Sequence, residues 1–160
     1  MHKKEEFLKT YGGIYEHSPW IAEAAFAAGA ETLEDIHAAM KLAVTNAAHD
    51  KKLALIRAHP DLAGKEAQAG ALTDASQAEQ KSAGLDRLSG AELARLKAHN
   101  AAYRAKFGFP FIICVRNHGK AGIFALLDER LANSHAAEFG LALHEIYAIA
   151  RLRLEALLAE

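Results

Sequence analysis

The residues of this chain best suited to chemistry are one histidine and a polar cluster that follows it. His59 stands directly before Pro60, and a proline disfavours the α conformation of the residue that precedes it. A helix arriving at this point is therefore expected to stop and to leave the imidazole at its end. Ser76, Glu79 and Gln80 are spaced i, i+3, i+4, which on a helix places a hydroxyl, a carboxyl and an amide on one face. An imidazole and a carboxyl together suit acid/base chemistry on a polar small molecule.

A charged side chain ends the most apolar stretch of the sequence. Arg116 follows the seven-residue apolar run 109–115. A guanidinium drawn toward a core needs an anionic or carbonyl partner, because it keeps its charge. A structural ion pair, for instance with Asp61 or Glu92, would satisfy that need, and so would a substrate. Cys114, the one cysteine, lies inside the run and is interpreted as a buried apolar side chain.

Each residue of the polar cluster also has a purely structural interpretation. The imidazole of His59 could cap a helix end by bonding to a carbonyl, and Ser76 with Glu79 has the spacing of a capping box. Thr73 and Asp74 offer a competing cap one turn earlier. That earlier cap would leave the serine and the glutamate inside the helix, where they could face a ligand.

Metal and nucleophile sites are not indicated by the sequence. The chain has nine histidines, but the pair His144-Glu145 lacks the second histidine of a zinc-binding helix. No two histidines share an i, i+4 spacing on a predicted helix, and no nucleophile elbow or phosphate-binding loop occurs. We therefore expect no metal site. Five further histidines lie among polar or surface-like residues and are assigned no catalytic role: His17, His37, His99, His118 and His135.

Length and charge narrow the class of protein. The 160 residues, 51% of them hydrophobic, suffice for one domain spanning 1–160 with a core of its own. The 19 basic residues balance 20 acidic ones, so the sequence carries no electrostatic signature of nucleic-acid binding. No apolar run approaches the ~20 residues that cross a bilayer, and no signal peptide follows the first lysines. With a single cysteine, these features predict a soluble cytoplasmic protein.

The elements that must position these residues are predicted to be helices. Apolar residues recur at helical spacing, which predicts an all-α fold of about seven or eight helices. Start signals occur at Ser18 before a proline, at Thr32 and at Ser89, and a long final helix is expected over 134–158. The apolar run 109–115 has no clear period. Because the sequence offers no partner strand elsewhere, we expect this run to form extended chain or one helical turn.

Four motifs together resemble one enzyme family. They are EHSPW at residues 16–20, AHPDL at 58–62, SxxEQ at 76–80 with AGL at 83–85, and FGFPF at 107–111 continuing through CVR at 114–116. In this order and spacing they are similar to the 2-oxo-4-hydroxy-4-carboxy-5-ureidoimidazoline (OHCU) decarboxylases of purine breakdown. The resemblance implies an all-α fold, a homodimer, and a cofactor-free decarboxylation that yields (S)-allantoin at the end of the route from urate.

The resemblance also implies roles for single residues. His59 matches the essential histidine of the family, and Glu79 matches its essential glutamate. The expected substrate contacts are the matching residues Pro60, Ser76, Gln80 and Arg116, with backbone groups of Ile113 and Asn117 close by. On this hypothesis His59 removes the hydroxyl proton and Glu79 handles the proton at the ureido end, although the two roles could be exchanged.

Two other functions fit the same residues. A non-enzymatic helical binding domain would use the polar cluster structurally and would pair Arg116 with a protein carboxylate such as Asp61 or Glu92. A hydrolase acting on a related ureide could use the same acid/base pair to activate water. For the enzymatic functions the expected partner is a small molecule, with neither nucleic acid nor a membrane.

Overall fold

The computed structural model describes residues 2–64 and 72–159, and these ranges contain eight α-helices and no strand. In chain order the helices are α1 His2–Tyr11, α2 Pro19–Ala27, α3 Leu33–Thr45, α4 His49–Arg57, α5 Asp74–Ser82, α6 Gly90–Phe107, α7 Val115–Ala132 and α8 His135–Leu158. The prediction of an all-α fold is confirmed. Most of the predicted loop 61–72 lies outside the described residues. Within the described ranges, no helix is both long and apolar enough to cross a membrane.

Contacts between residues divide the chain into two compact units. The first is Met1–Ala58 together with Ile146–Glu160, and the second is His59–Glu145. In the first unit, α2 packs against both α1 and α3. Its core includes the side chains of Ile21, Met40 and Val44, which are fully buried.

A buried ion pair holds the motif at residues 16–20 inside the first unit. Arg153 donates from Nη2 to Oε1 of the buried Glu16 at 2.9 Å, and from Nη1 to the Ile14 carbonyl oxygen at 3.1 Å. The hydroxyl of Ser18 donates to the carbonyl oxygen of Glu16 at 2.9 Å. Ser18 therefore precedes α2 as predicted, but its side chain does not cap the helix, because the preceding turn engages its hydroxyl.

Three other helices begin as the sequence signals predict. At the start of α3, Thr32 Oγ1 accepts a hydrogen bond from a backbone N–H of the first turn at 3.1 Å. At the start of α6, Ser89 and Glu92 form a complete capping box with distances of 3.1 and 2.9 Å. Thr73 caps α5 in the same way as Thr32 caps α3. These side chains satisfy N–H groups that the first turn of a helix leaves unpaired.

In the second unit, α7 packs against both α5 and α6. Between α6 and α7 the chain is non-helical from residue 108 to residue 114. Of the two expected forms, extended chain or one helical turn, the helical turn is therefore the wrong one. Phe109, Phe111 and Cys114 in this segment are buried, and both phenylalanine rings meet the ring of Tyr103 edge-on, at centroid distances of 5.9 and 5.4 Å. This buried segment fixes the point at which α7 begins.

The helix α7 is interrupted after its first turn. Gly119 has a φ of +68° inside the helix bounds. This is a left-handed conformation that residues with a Cβ adopt only at a cost. The turn formed by residues 115–118 is therefore a separate segment from the remainder of α7.

Candidate active site

His59 lies just beyond the end of a helix, as its place before Pro60 predicts. The helix α4 ends at Arg57, and Ala58 is its C-terminal cap. His59 is buried, with 6% of its surface exposed, and Pro60 beside it is half-buried. The structure thus confirms the local geometry expected for the histidine, while its chemical role stays a prediction.

The amide of Gln80 on α5 anchors the loop that follows His59. Its Oε1 accepts the N–H of Ala63 at 2.9 Å, and both residues are buried. Ala63 has a φ of +49°, a left-handed conformation that persists in a non-glycine residue only where its surroundings hold it. The NH₂ group of Gln80 is a donor that this residue can offer to a ligand.

Two residues of α6 hold the same loop. Asn100 Nδ2 donates to the carbonyl oxygen of Leu62 at 3.1 Å. Arg104 Nε donates to the carboxylate of Asp61 at 3.1 Å. The loop after His59 is therefore tied to two helices, which restricts the positions open to the histidine.

The polar cluster on α5 lies within the helix and does not cap it. Thr73 Oγ1 accepts the N–H of Ser76 at 3.2 Å, so the earlier of the two possible caps is the one that forms. Ser76 and Gln80 are buried, whereas Glu79 is half-buried. The capping-box interpretation of Ser76 and Glu79 is therefore wrong, because the helix has already begun before the serine.

The predicted environment of Arg116 requires correction. The residue is exposed, and it is not drawn into the core, because α7 begins one residue earlier and carries the arginine on its first turn. The two carboxylates considered as its partners are paired elsewhere, Asp61 with Arg104 and Glu92 with Lys120. Within residues 2–64 and 72–159, the Arg116 guanidinium makes no hydrogen bond or ion pair. None of the described residues therefore competes with an anionic ligand for this guanidinium.

The polar face of α5 and the first turn of α7 belong to neighbouring helices, since α5 packs against α7. Burial raises the pKa of the Cys114 thiol, and the negative charges of Glu145 and Glu79 raise this pKa further. Ile113 precedes this cysteine and is buried, while Asn117 follows it on the exposed first turn of α7. The Glu79 carboxylate thus lies near enough to Cys114 to contribute to this shift of its pKa. All eight predicted site residues lie in the unit His59–Glu145.

Two residues that were assigned no role from the sequence lie against this turn. Glu145 Oε1, on α8, accepts the N–H of Cys114 at 3.3 Å, and the same oxygen lies 3.0 Å from Nε2 of His118. His118 is exposed as predicted, and it also contacts this buried carboxylate. No local pattern could have linked the pair, because 27 positions separate them.

His99 was expected among surface-like residues, and the structure places it elsewhere. It is buried, and its ring meets that of Phe111 edge-on at a centroid distance of 4.8 Å. Burial lowers its pKa below the usual range of a histidine. His99 belongs to the aromatic core of the second unit, whereas His17 is exposed as predicted.

A cavity of about 390 Å³ lies beside the contact between Gln80 and Ala63, and both residues line it. The rest of its wall combines four leucines with three polar residues: Leu72, Leu85, Leu88, Leu93, Gln77, Lys81 and Asp86. The hydrogen bond that holds the loop after His59 therefore joins two residues of this wall.

The unit His59–Glu145 contains groups that move protons and a group that binds anions. They are a buried imidazole at His59, a half-buried carboxyl at Glu79 and an exposed guanidinium at Arg116. Among the described residues, no group of three or more His, Cys, Asp or Glu side chains is placed to hold a metal ion. The side chains present suit acid/base chemistry on a small anion.

Comparison with known proteins identifies the family to which the chain is similar. The sequence model of the family described as OHCU decarboxylase matches residues 1–155. A 2-oxo-4-hydroxy-4-carboxy-5-ureidoimidazoline decarboxylase of Haloferax volcanii is 42% identical over 151 residues, covering 94% of this chain and 88% of its own length. The enzyme of the same name from Amia calva is 38% identical over 152 residues, covering 94% and 87%.

Solved structures share the fold. An (S)-allantoin synthase matches with a TM-score of 0.75 and 36% sequence identity, covering 96% of this chain and 50% of that one. An OHCU decarboxylase solved in the presence of (S)-allantoin matches with a TM-score of 0.75 at 23% identity, covering 94% and 99%, and this match supports the fold alone. The family model matches nearly the whole chain, and the relatives are matched over most of their own length. The protein therefore belongs to the OHCU decarboxylase family.

Proposed function

We propose that this protein converts 2-oxo-4-hydroxy-4-carboxy-5-ureidoimidazoline to (S)-allantoin in urate breakdown, by decarboxylation without a cofactor. The observation that carries the proposal is the packing of α5, which bears Ser76, Glu79 and Gln80, against α7, which bears Arg116. Membership of the OHCU decarboxylase family supports it. So does the 36% identity with a protein named (S)-allantoin synthase.

The substrate itself can accept the electrons of the reaction. When the bond to the carboxylate breaks, the electron pair flows through the hydroxyl-bearing carbon into the adjacent ring C=N, whose nitrogen takes a proton. The hydroxyl proton is then lost as the ring carbonyl forms, and a proton is delivered to the carbon that bears the ureido group. The protein must position the substrate, move these protons and select one face.

Two residues are proposed to move these protons. His59 removes the proton of the hydroxyl group beside the carboxylate, and Glu79 handles the proton at the ureido-bearing carbon. The opposite assignment uses the same two side chains with their roles exchanged. In either case, protonation from a fixed position on one side of the ring produces the S configuration.

The remaining predicted residues are proposed to hold the substrate. Arg116 supplies a guanidinium for the substrate carboxylate, a pairing that its planar donors favour. Ser76 and the NH₂ group of Gln80 bind the ring and ureido groups. Pro60 and the backbone groups of Ile113 and Asn117 complete the set. The buried and restrained positions of Ser76 and Gln80 suit this role, because restrained groups lose little freedom on binding.

We further propose that residues 1–160 form one domain of this family, that two chains form a homodimer, and that the enzyme works in the cytoplasm. The family match over residues 1–155 supports the single domain, and the resemblance to the family supports the homodimer. The free, buried thiol of Cys114 suits a reducing compartment. We expect neither nucleic acid nor a membrane as a partner. Sedimentation velocity on the purified protein tests the homodimer.

The decisive experiment generates the unstable substrate in situ from urate, with the enzymes of the preceding steps, and follows (S)-allantoin by circular dichroism. Spontaneous decay to racemic product is the baseline. Product formation that is no faster and no more stereoselective than this baseline would exclude the proposed function. A hydrolase acting on the same compound would consume it without forming (S)-allantoin, so the circular-dichroism signal also tests this alternative.

Replacing His59 with asparagine tests its role directly. Positioned acid/base catalysis contributes about 10² to 10⁴-fold, so His59→Asn should lower kcat by about that factor. The matched control is His17→Asn, which changes an exposed histidine and should leave kcat unchanged. The pH profiles of His59→Asn and Glu79→Gln show which variant loses the acidic limb and so which residue acts as base.

A further inference from the structure

We propose that Glu145, together with His118, is a positioning residue that fixes the first turn of α7 so that Arg116 and Asn117 meet the substrate. The proposal rests on the proposed function and adds two residues that the family resemblance did not supply. It is carried by one oxygen atom. Oε1 of Glu145 contacts both the backbone N–H of Cys114 and Nε2 of His118.

The two contacts of Glu145 lie on either side of the predicted binding residues. Cys114 precedes Arg116 by two residues, and His118 follows Asn117 directly. A single carboxylate oxygen therefore holds both ends of the turn at distances of 3.3 and 3.0 Å. Glu145 is itself buried, with 9% of its surface exposed, so its carboxylate is a restrained acceptor.

The turn needs such support, because the rest of α7 does not continue it. Gly119 follows His118 with a φ of +68°, which interrupts the helix at that point. On the other side of the turn, Arg130 Nη1 donates to the carbonyl oxygen of Ile112 at 3.2 Å, and Glu138 accepts from Arg130 Nε at 2.6 Å. The segment is thus fixed at Ile112 by Arg130, and the turn beyond it is fixed by Glu145.

The carboxylate of Glu145 does not compete with the substrate for the guanidinium of Arg116. Glu145 receives hydrogen bonds from the Cys114 N–H and from His118. No ion pair joins Glu145 to Arg116 in the described part of the chain. The carboxylate therefore orders the backbone beneath the arginine without taking its guanidinium.

The test compares Glu145→Ala, Glu145→Gln and His118→Ala in the full-length protein. Glu145→Ala should raise KM about 10- to 100-fold, the range expected when a substrate-positioning group moves by up to about 1 Å. Its kcat should change much less, because the acid/base residues are untouched. Glu145→Gln keeps an acceptor oxygen for the Cys114 N–H and should hold KM within about threefold of the wild type. Isothermal titration with (S)-allantoin gives the dissociation constant of the product as an independent readout.

His118→Ala should raise KM less than Glu145→Ala does. The double variant should be no worse than Glu145→Ala alone, since both residues act on one turn. The matched control is Glu16→Gln, which alters another buried carboxylate paired with a basic side chain. This control should lower the melting temperature and leave KM and the product affinity unchanged.

Unchanged KM and unchanged (S)-allantoin affinity in folded Glu145→Ala would overturn the inference. A KM increase in Glu16→Gln equal to that in Glu145→Ala would also overturn it, because a general loss of stability would then explain both. If Glu145→Ala does not fold, His118→Ala decides: a raised KM supports the inference and an unchanged KM overturns it. Absence of decarboxylation by the wild type would instead refute the proposed function, and that outcome is visible before any variant is made.

Discussion

Replacing Arg116 with glutamine should separate substrate binding from protein stability. The residue is exposed, and its guanidinium makes no hydrogen bond or ion pair within residues 2–64 and 72–159. Exposed substitutions that break no contact change the free energy of unfolding by about 0.5 kcal/mol or less. The urea midpoint of Arg116→Gln should therefore lie within error of the wild type.

The same substitution should weaken substrate binding strongly. A hydrogen bond to a charged group contributes about 1.5–3 kcal/mol. At about 1.4 kcal/mol for each factor of ten, this loss corresponds to an increase in KM of about 10- to 150-fold. Arg116→Lys keeps the positive charge but lacks the planar pair of donors, so its KM should fall between those of the wild type and the glutamine variant.

The assay follows (S)-allantoin formation by circular dichroism with substrate generated in situ, and Arg95→Gln is the matched control. Arg95 is also an exposed arginine, and its guanidinium donates to the carbonyl oxygen of Phe124 at 3.2 Å. This control should leave KM unchanged. An unchanged KM in Arg116→Gln would refute the role of Arg116 in binding. A loss of more than about 1 kcal/mol in its unfolding free energy would refute the view that it has no structural duty.

Two further predictions concern stability. Gly119→Ala should destabilise the protein by about 1–2 kcal/mol in urea unfolding, because its φ is +68° and an added Cβ would meet no atom within 4 Å, so the cost is conformational. Gly140→Ala is the control, because Gly140 lies in α8 and an added Cβ would also meet no atom within 4 Å. This substitution should be neutral or stabilising by up to about 1 kcal/mol. Equal effects at the two positions would contradict the argument. Burial lowers the pKa of His99 in the folded state, so below about pH 6.5 the unfolded chain binds a proton that the folded protein does not, and unfolding becomes easier as the pH falls. His99→Gln should therefore lose less stability than the wild type between about pH 7 and pH 5 in urea titrations, and parallel losses would refute this.

Local signals in the sequence predicted much of the fold. Thr32, Thr73 and Ser89 each cap a helix, because a hydroxyl oxygen placed before a helix can reach the N–H groups of its first turn. Ser18 had the same signal and does not cap, because its hydroxyl turns back to the carbonyl oxygen of Glu16. A cap can thus be predicted from sequence, but competition from a neighbouring turn cannot.

The helices that carry the predicted site residues followed from the sequence, whereas the contacts of those residues did not. The placement of Ser76, Glu79 and Gln80 along one helix follows from their spacing and from the cap before them. The exposure of Arg116 did not follow, because the end of an apolar run does not show whether the next residue begins a helix. The contact of Glu145 with His118 joins two distant helices, and no short-range pattern encodes such a contact.

The hydrogen bond from Ala63 to Gln80 has a consequence for how heat would affect the enzyme. α5 has only nine residues, and an isolated helix shorter than about 12–15 residues is marginal in water. We therefore expect α5, on which the loop after His59 depends, to open locally before the whole protein unfolds. Opening of α5 would release the Ala63 amide to hydrogen exchange and, in the same event, free the loop beside His59. Activity is accordingly expected to fall at temperatures where most of the protein is still folded.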